Sequence, residues 1–440
     1  MKSNRTAVSF LASLLLCCGL TGCGDMQDPA LEQPAVQTTV PGLNQPSELI
    51  ADPMAEIKPQ PVYGRDADDT YLIAQTGFAL GLMQKAMQSD ANKNILLSPY
   101  SAMQALAMTA NGAANQTLAE MEQALGGIPI DTLNEYLYTS RTCFPENENC
   151  KFNIANSIWV RDEAERISPD PAFLQKNADY YAADVFLAPF DESTRGEINS
   201  WCSKRTDSMI PEILSEPIGP DTVMYLINAV CFDAKWEEIY EDEPTPRDFH
   251  AANGETRTVQ MMYSQENMYL SDAHAVGFLK NYQGGNFAFA AILPDEGITP
   301  EQYLANLTPE DLHSVLTHAE RCDVNAGLPQ FSYDYDNELS EELKAMGMTS
   351  AFDDQTADFY NITGTDKQLY INRVLHKTHI EVDTEGTKAA AVTAVEMADE
   401  AAAEAPENMK TVILDRPFVY MIVDTNTMLP VFFGILNEIP

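Results

Sequence analysis

Six histidines, eight cysteines and many acidic and hydroxyl residues supply every side-chain type that hydrolytic or metal chemistry needs. Their spacing is wrong for catalysis. There is no Gly-x-Ser-x-Gly turn to present a serine nucleophile and no His-Glu-x-x-His pair to hold zinc on one helix face. Neither Gly-x-x-x-x-Gly-Lys nor Gly-x-Gly-x-x-Gly is present to cradle phosphate, and no cysteines have paired zinc-ligand spacing. The chain reads as a non-enzyme, with no cofactor and no metal expected.

The pattern that does stand out is a conformational one, from His376 to Val395, HKTHIEVDTEGTKAAAVTAV. A strand-like alternation, Thr378 to Val382, meets Gly386 and then a run of small side chains. Extended, one face carries Thr387, Ala389, Ala391 and Thr393, and the other Lys388, Ala390 and Val392. A uniformly small face lowers the steric cost of threading between strands that are already paired. By propensity alone, residues 389 to 405 also read as an exposed helix rich in Ala, Glu and Met. The window leaves both conformations open.

The elements that must position this segment belong to one large folded unit. A chain of 440 residues that is 45% hydrophobic has ample apolar surface for a large core, and no internal repeat or linker follows Tyr71. A formal charge of −40 argues against nucleic-acid phosphates or an anionic membrane surface as partners. A soluble monomer is expected.

At the N-terminus, Lys2 and Arg5 precede an apolar stretch, Val8 to Leu16, and then Leu20-Thr21-Gly22-Cys23. Those four residues resemble a bacterial lipobox, in which the cysteine becomes the lipidated first residue. Residues 1–22 are thus expected to be a lipoprotein signal peptide and Cys23 the lipidation site. An ordinary signal cut near the same place is the alternative. Residues 23–69, rich in Pro, Gln, Asp and Glu, read as a flexible tether, and 70–440 as the folded domain. The expected location is the bacterial cell envelope, with the domain lipid-anchored and exposed at the surface or in the periplasm. Membrane contact is through the lipid only, since no apolar stretch is long enough to span a bilayer.

Five cysteines remain in the folded part, so at least one is a free thiol. Cys143 and Cys150 flank the polar stretch 144–149, and a local disulfide and two separate thiols both fit that spacing. Cys231, inside an apolar strand pattern, reads as a small buried hydrophobe.

From Tyr71 to Pro440 the chain resembles the serpin family. The matches run in order: Asn94 to Ser101 leading into Ala105 to Met108 and Asn111-Gly112-Ala113, then Ile154 to Trp159 and Ile198 to Trp201. Ile227 to Phe232 follows with Lys235-Trp236, then Gln260 to Met262, Ala291 to Pro294 and Leu328 to Phe331. Met346 to Met348, Ala351-Phe352, Asp415 to Phe418 and Val431 to Gly434 complete the set.

The resemblance implies an α+β serpin fold of three β-sheets surrounded by about nine helices, with an exposed reactive-centre loop at about 386–411. It implies a suicide inhibitor of serine or cysteine proteases, or else a non-inhibitory surface protein of the same fold that binds a ligand or partner. Gly386, Thr387, Ala389, Ala390, Ala391 and Thr393 match the hinge of inhibitory members. Thr384 departs from it, since a glutamate is usual there. Ser98, Ser101, Asn228 and His376 occupy the positions of a polar shutter cluster beneath the main sheet, and Trp236 that of the breach tryptophan, where insertion begins. The family's spacing puts the cleaved bond at Glu400-Ala401. Gly386 to Pro417 is 31 positions, longer than usual, which keeps Met397, Ala398, Ala401 and Ala402 open as alternatives. Partners are then extracellular glutamate-specific, elastase-like or subtilisin-like proteases.

Overall fold

The computed structural model describes residues 50–144, 150–162, 169–363, 369–387 and 409–440. Its elements follow the order α1 (Asp69–Ser89), β1 (Ile95–Leu97), α2 (Pro99–Ala110), α3 (Asn115–Ala124), α4 (Ile130–Cys143), β2 (Cys150–Arg161), α5 (Pro171–Tyr181), β3 (Asp184–Ala188), α6 (Glu192–Arg205) and β4 (Met224–Lys235). Then come β5 (Thr245–His250), β6 (Thr256–Ser271), β7 (Ala275–Asn281), β8 (Phe287–Pro294), α7 (Pro300–Ala305), α8 (Pro309–Thr317), β9 (Glu320–Pro329) and β10 (Phe331–Glu338). The last are α9 (Ser340–Ala345), α10 (Tyr360–Thr363), β11 (Arg373–Val382), β12 (Gly386–Thr387), β13 (Lys410–Ile413), β14 (Phe418–Asp424) and β15 (Pro430–Leu436).

One sheet has the order β10-β11-β12-β4-β2-β3. Its middle strand β4 is buried over nearly its whole length, as expected of a strand covered on both faces. Tyr225, Ile227 and Ala229 pack with Ile198 and Cys202 of α6 on one face. Leu226 and Val230, one residue out of phase, enter the main core on the other. The second sheet runs β1-β15-β14-β8-β7-β6-β9-β13, with β5 paired to β6. The three expected sheets are joined into these two networks because the long β6 pairs with β5 at one end and β7 at the other. Ten α-helices surround them among the described residues, none long and apolar enough to cross a membrane.

Helix α2 lies between the sheets with all twelve residues buried. Its start is written in the sequence: Ser98 caps the helix and Pro99 occupies the first turn, where its missing N–H is not needed.

Residues 50–68, within the stretch assigned to the tether, lie along this body. Ala51 and Leu187 exchange two backbone hydrogen bonds of 2.9 Å, and the Gln60 N–H donates to Asp179 at 2.6 Å. Arg65 pairs with Glu135 at 2.8 Å, and Asp68 caps α1.

Candidate functional site

The residues expected to form a shutter converge where β11 and β4 meet. The two strands pair in parallel from Arg373 with Tyr225 to Thr378 with Val230, which sets His376 opposite Asn228. On the other side of β4, Asn228 stands opposite Asn156 of β2. The Ser98 N–H donates to His376 Nε2 at 3.0 Å, so the ring proton sits on Nδ1 and is donated to Asn228 Oδ1. The Asn228 amide then donates to Ser101 Oγ at 2.5 Å and to Asn156 Oδ1 at 2.6 Å. Ser98 Oγ donates to the Val431 carbonyl at 2.7 Å, tying the cluster to the second sheet. Every member is buried. Burial lowers the His376 pKa to about 3, which holds the imidazole neutral. A neutral imidazole bonded on both nitrogens, with no carboxylate bonded to it among the described residues, acts here as a structural link.

Above this cluster the sheet parts. Beyond Thr378 and Val230, β11 and β4 separate, and the chain turns back through Asp383 to Glu385 to place β12 between them. Asp383 Oδ1 accepts from the N–H groups of Glu385 at 2.8 Å and Gly386 at 3.0 Å, an Asx-type turn that fixes the hairpin. Gly386 pairs with Lys235 and Thr387 with Ala234. Only glycine fits at the first position: a Cβ on Gly386 would lie 2.2 Å from the Ala234 carbonyl oxygen and 2.8 Å from Lys235 Cα.

Trp236 lies at this junction. Its indole N–H donates to the Asp383 carbonyl at 2.9 Å and its backbone N–H to Glu385 at 2.9 Å. It stacks on Tyr282 with centroids 4.5 Å apart, and the Tyr282 hydroxyl bonds the buried Thr387 hydroxyl at 2.6 Å. Lys280, 2% exposed, pairs with Glu266 at 2.8 Å, and its ammonium sits 4.5 Å from the Tyr240 ring centroid and 5.5 Å from that of Trp236. At the departing position Thr384, the backbone carbonyl accepts from the Tyr240 N–H at 3.2 Å. The nearby acidic contact comes from the next residue, with Glu385 3.8 Å from Lys235.

The structure therefore brings together Ser98, Ser101, Asn228 and His376, and separately Trp236, Gly386 and Thr387. Ala389, Ala390, Ala391, Thr393, Met397, Ala398, Glu400, Ala401, Ala402 and Cys23 lie outside the described residues. The chain returns at β13, which pairs in parallel with β9. Sequence reasoning passed over Asn156, Tyr282 and Lys280. Asn156 had a signal, as a polar residue inside the Ile154 to Trp159 run; Lys280 is a single residue in β7 and Tyr282 a single residue just beyond its end.

The local disulfide between Cys143 and Cys150 is not formed. Cys143 is an exposed free thiol at the end of α4, whereas Cys150 is the buried first residue of β2, its thiol pushed up to about 11 by burial. Among the described residues no cluster of His, Cys, Asp or Glu could hold a metal ion.

The described residues thus form an α+β fold whose main sheet is paired at one end and parted at the other around a two-residue strand. The comparisons agree with that class. Residues 73–439 match the family described as Serpin (serine protease inhibitor). The chain is 29% identical over 378 residues to leukocyte elastase inhibitor A of Mus musculus, covering 82% of this chain and 97% of that protein. It is 30% identical to Serpin B6 of Pongo abelii, covering 83% and 98%. The solved native state of tengpin, a thermophilic serpin, superposes with a TM-score of 0.83 at 44% identity, covering 89% of this chain and all of that one. The chain belongs to the serpin family.

Proposed function

We propose that this serpin is a suicide-substrate inhibitor of serine or cysteine proteases. The observation that carries the reading is the gap above Thr378 and Val230, already entered by Gly386 and Thr387. A protease hydroxyl or thiol attacks the carbonyl of the scissile bond, forms an acyl-enzyme and releases the amine side of the loop. The acylated arm then follows Thr387 into the gap, unzipping the six parallel pairs between β11 and β4 and replacing them with antiparallel pairing on both sides. At about 1 kcal/mol per net ladder bond, with apolar burial added, insertion releases on the order of 10 kcal/mol. A new strand of about fourteen residues spans roughly 45 Å, far enough to pull the protease's oxyanion geometry out of register and stall deacylation.

The scissile bond we favour is Glu400-Ala401, with Met397, Ala398 and Ala402 as neighbouring alternatives. The corresponding targets are glutamate-specific, elastase-like and subtilisin-like extracellular proteases. Lipidation at Cys23 would hold the inhibitor as a monomer at the bacterial cell envelope, facing outward or into the periplasm. The test is to mix the full chain with one protease of each kind. An SDS-stable adduct and a released peptide whose mass fixes the bond are expected. Clean turnover of the loop with no adduct for any of them overturns inhibition and leaves a cleaved, ligand-binding or partner-binding member of the fold.

A further inference from the structure

Three consecutive carbonyls of the hinge hairpin accept from one short segment. The Asp383 carbonyl accepts from the Trp236 indole N–H at 2.9 Å, that of Thr384 from the Tyr240 N–H at 3.2 Å and that of Glu385 from the Trp236 backbone N–H at 2.9 Å. The donating segment, residues 236–240, lies between the end of β4 and the start of β5. Its first residues rest on the end of β7 and the turn that follows: the Glu237 N–H donates to the Asn281 carbonyl at 2.9 Å, and the Trp236 ring stacks on Tyr282.

Beyond Glu237 the segment is held by Lys280. The Lys280 ammonium donates to the Glu238 carbonyl at 3.0 Å and sits 4.5 Å from the ring centroid of Tyr240, the residue that bonds Thr384. The same ammonium is 5.5 Å from the Trp236 ring centroid and donates to Glu266 Oε1 at 2.8 Å, an oxygen that also accepts from Ser264 Oγ at 2.7 Å. Among the described residues Lys280 is the one Lys or Arg that is buried. Replacing a buried ion pair by apolar side chains of similar volume is commonly neutral or stabilising, so stability alone does not account for the pair. Its contacts instead gather both clamping residues around one charge.

We propose that Lys280 is a positioning residue for loop insertion. Acting through Trp236 and Tyr240, it holds the turn at Asp383 to Glu385 so that Gly386 and Thr387 stay threaded in the gap, and the cleaved loop starts insertion from a strand already in register. Deacylation competes with insertion, so the share of encounters that end as trapped adduct follows the fraction of molecules whose hinge is threaded. The inference rests on the inhibitory reading above, but the clamp itself is measurable without a protease.

The test is the full chain carrying Lys280→Met together with Glu266→Gln, which removes both charges at once and leaves no unpaired ion buried. Isotopically labelled tryptophan gives three indole N–H signals, from Trp159, Trp201 and Trp236. Exchange of the Trp236 indole proton reports the bond to Asp383, and that of Trp159, which donates to Ser157 Oγ at 2.8 Å in a separate core cluster, is the reference for the fold as a whole. Relative to Trp159, the Trp236 proton should exchange roughly five- to tenfold faster in the double variant, as loosening about one net hydrogen bond requires. The stoichiometry of inhibition of whichever protease forms the adduct should rise severalfold, with the rate of loop cleavage unchanged. Unchanged protection of Trp236, equal loosening of both indoles, or an unchanged stoichiometry beside a loosened Trp236 each overturn the positioning role. A Trp236 indole that exchanges freely in the wild type overturns the clamp with no variant needed. Should the wild type form no adduct with any protease, the inhibitory reading falls, while indole exchange and the melting gain of the nicked chain still decide what Lys280 positions.

Discussion

Thr387→Arg tests whether the gap in the main sheet is the entrance for the loop. Thr387 is 1% exposed and its hydroxyl bonds Tyr282 at 2.6 Å. The substitution removes that bond and strands a buried phenol, a loss of about 1–3 kcal/mol. It also asks the sheet to bury a guanidinium, which costs several kcal/mol when unpaired. Against this, the two residues of β12 are held by a few ladder bonds and the Asp383 turn, each worth about 1 kcal/mol. The hinge is therefore expelled, and the loop cannot begin to insert after cleavage. The assay needs no knowledge of the natural target: nick the loop with any protease that cuts within it and record melting by circular dichroism. An insertion energy on the order of 10 kcal/mol raises the midpoint of the nicked wild type by roughly 13 °C in a domain of this size. Nicked Thr387→Arg should melt with its uncut form, while Thr387→Ser keeps most of the gain. A full gain in the Arg variant, or none in the wild type, would refute the reasoning.

Three further outcomes are expected. His376 is neutral when folded, its pKa lowered by burial to about 3 from the ordinary histidine value of 6.5. The unfolded chain therefore binds the extra proton first, and stability falls as pH drops below about 6.5, by up to 1.4 kcal/mol per pH unit from this group. The stability gap between wild type and His376→Gln in urea unfolding should narrow between pH 7 and pH 5; a constant gap removes the buried neutral imidazole. Lys280→Met leaves Glu266, whose side chain is 12% exposed, without its cation and should destabilise by about 3 kcal/mol. Adding Glu266→Gln should restore most of that loss, and chemical denaturation of the single and double variants measures it. At pH 8 a thiol reagent should modify exposed Cys143 rapidly, whereas Cys202 and Cys231, both pushed up to about 12 by burial, stay protected until the chain unfolds. Peptide mapping after brief labelling decides this.

Much of the architecture could be read from residue order. Ser98-Pro99 announces the start of α2, and the alternation from His376 to Val382 announces a strand with one buried face, which β11 has. Short-range rules suffice there, because caps and period-two patterns depend on neighbours within a few positions. The shutter cluster was legible only through family resemblance: His376 is 148 positions from Asn228 and 278 from Ser98. No local rule joins them.

Other features had to wait for the folded chain. That Gly386 and Thr387 already occupy the gap follows from the Asp383 turn together with the 2.2 Å limit set by the Ala234 carbonyl, which is contributed by a strand more than 150 positions away. Tyr282 and Lys280 gain their places beside the hinge because β7 and its following turn bring them beneath Trp236. Local side-chain preference specifies the elements. Burial and long-range pairing select which of their surfaces meet, and those meetings create the parted sheet.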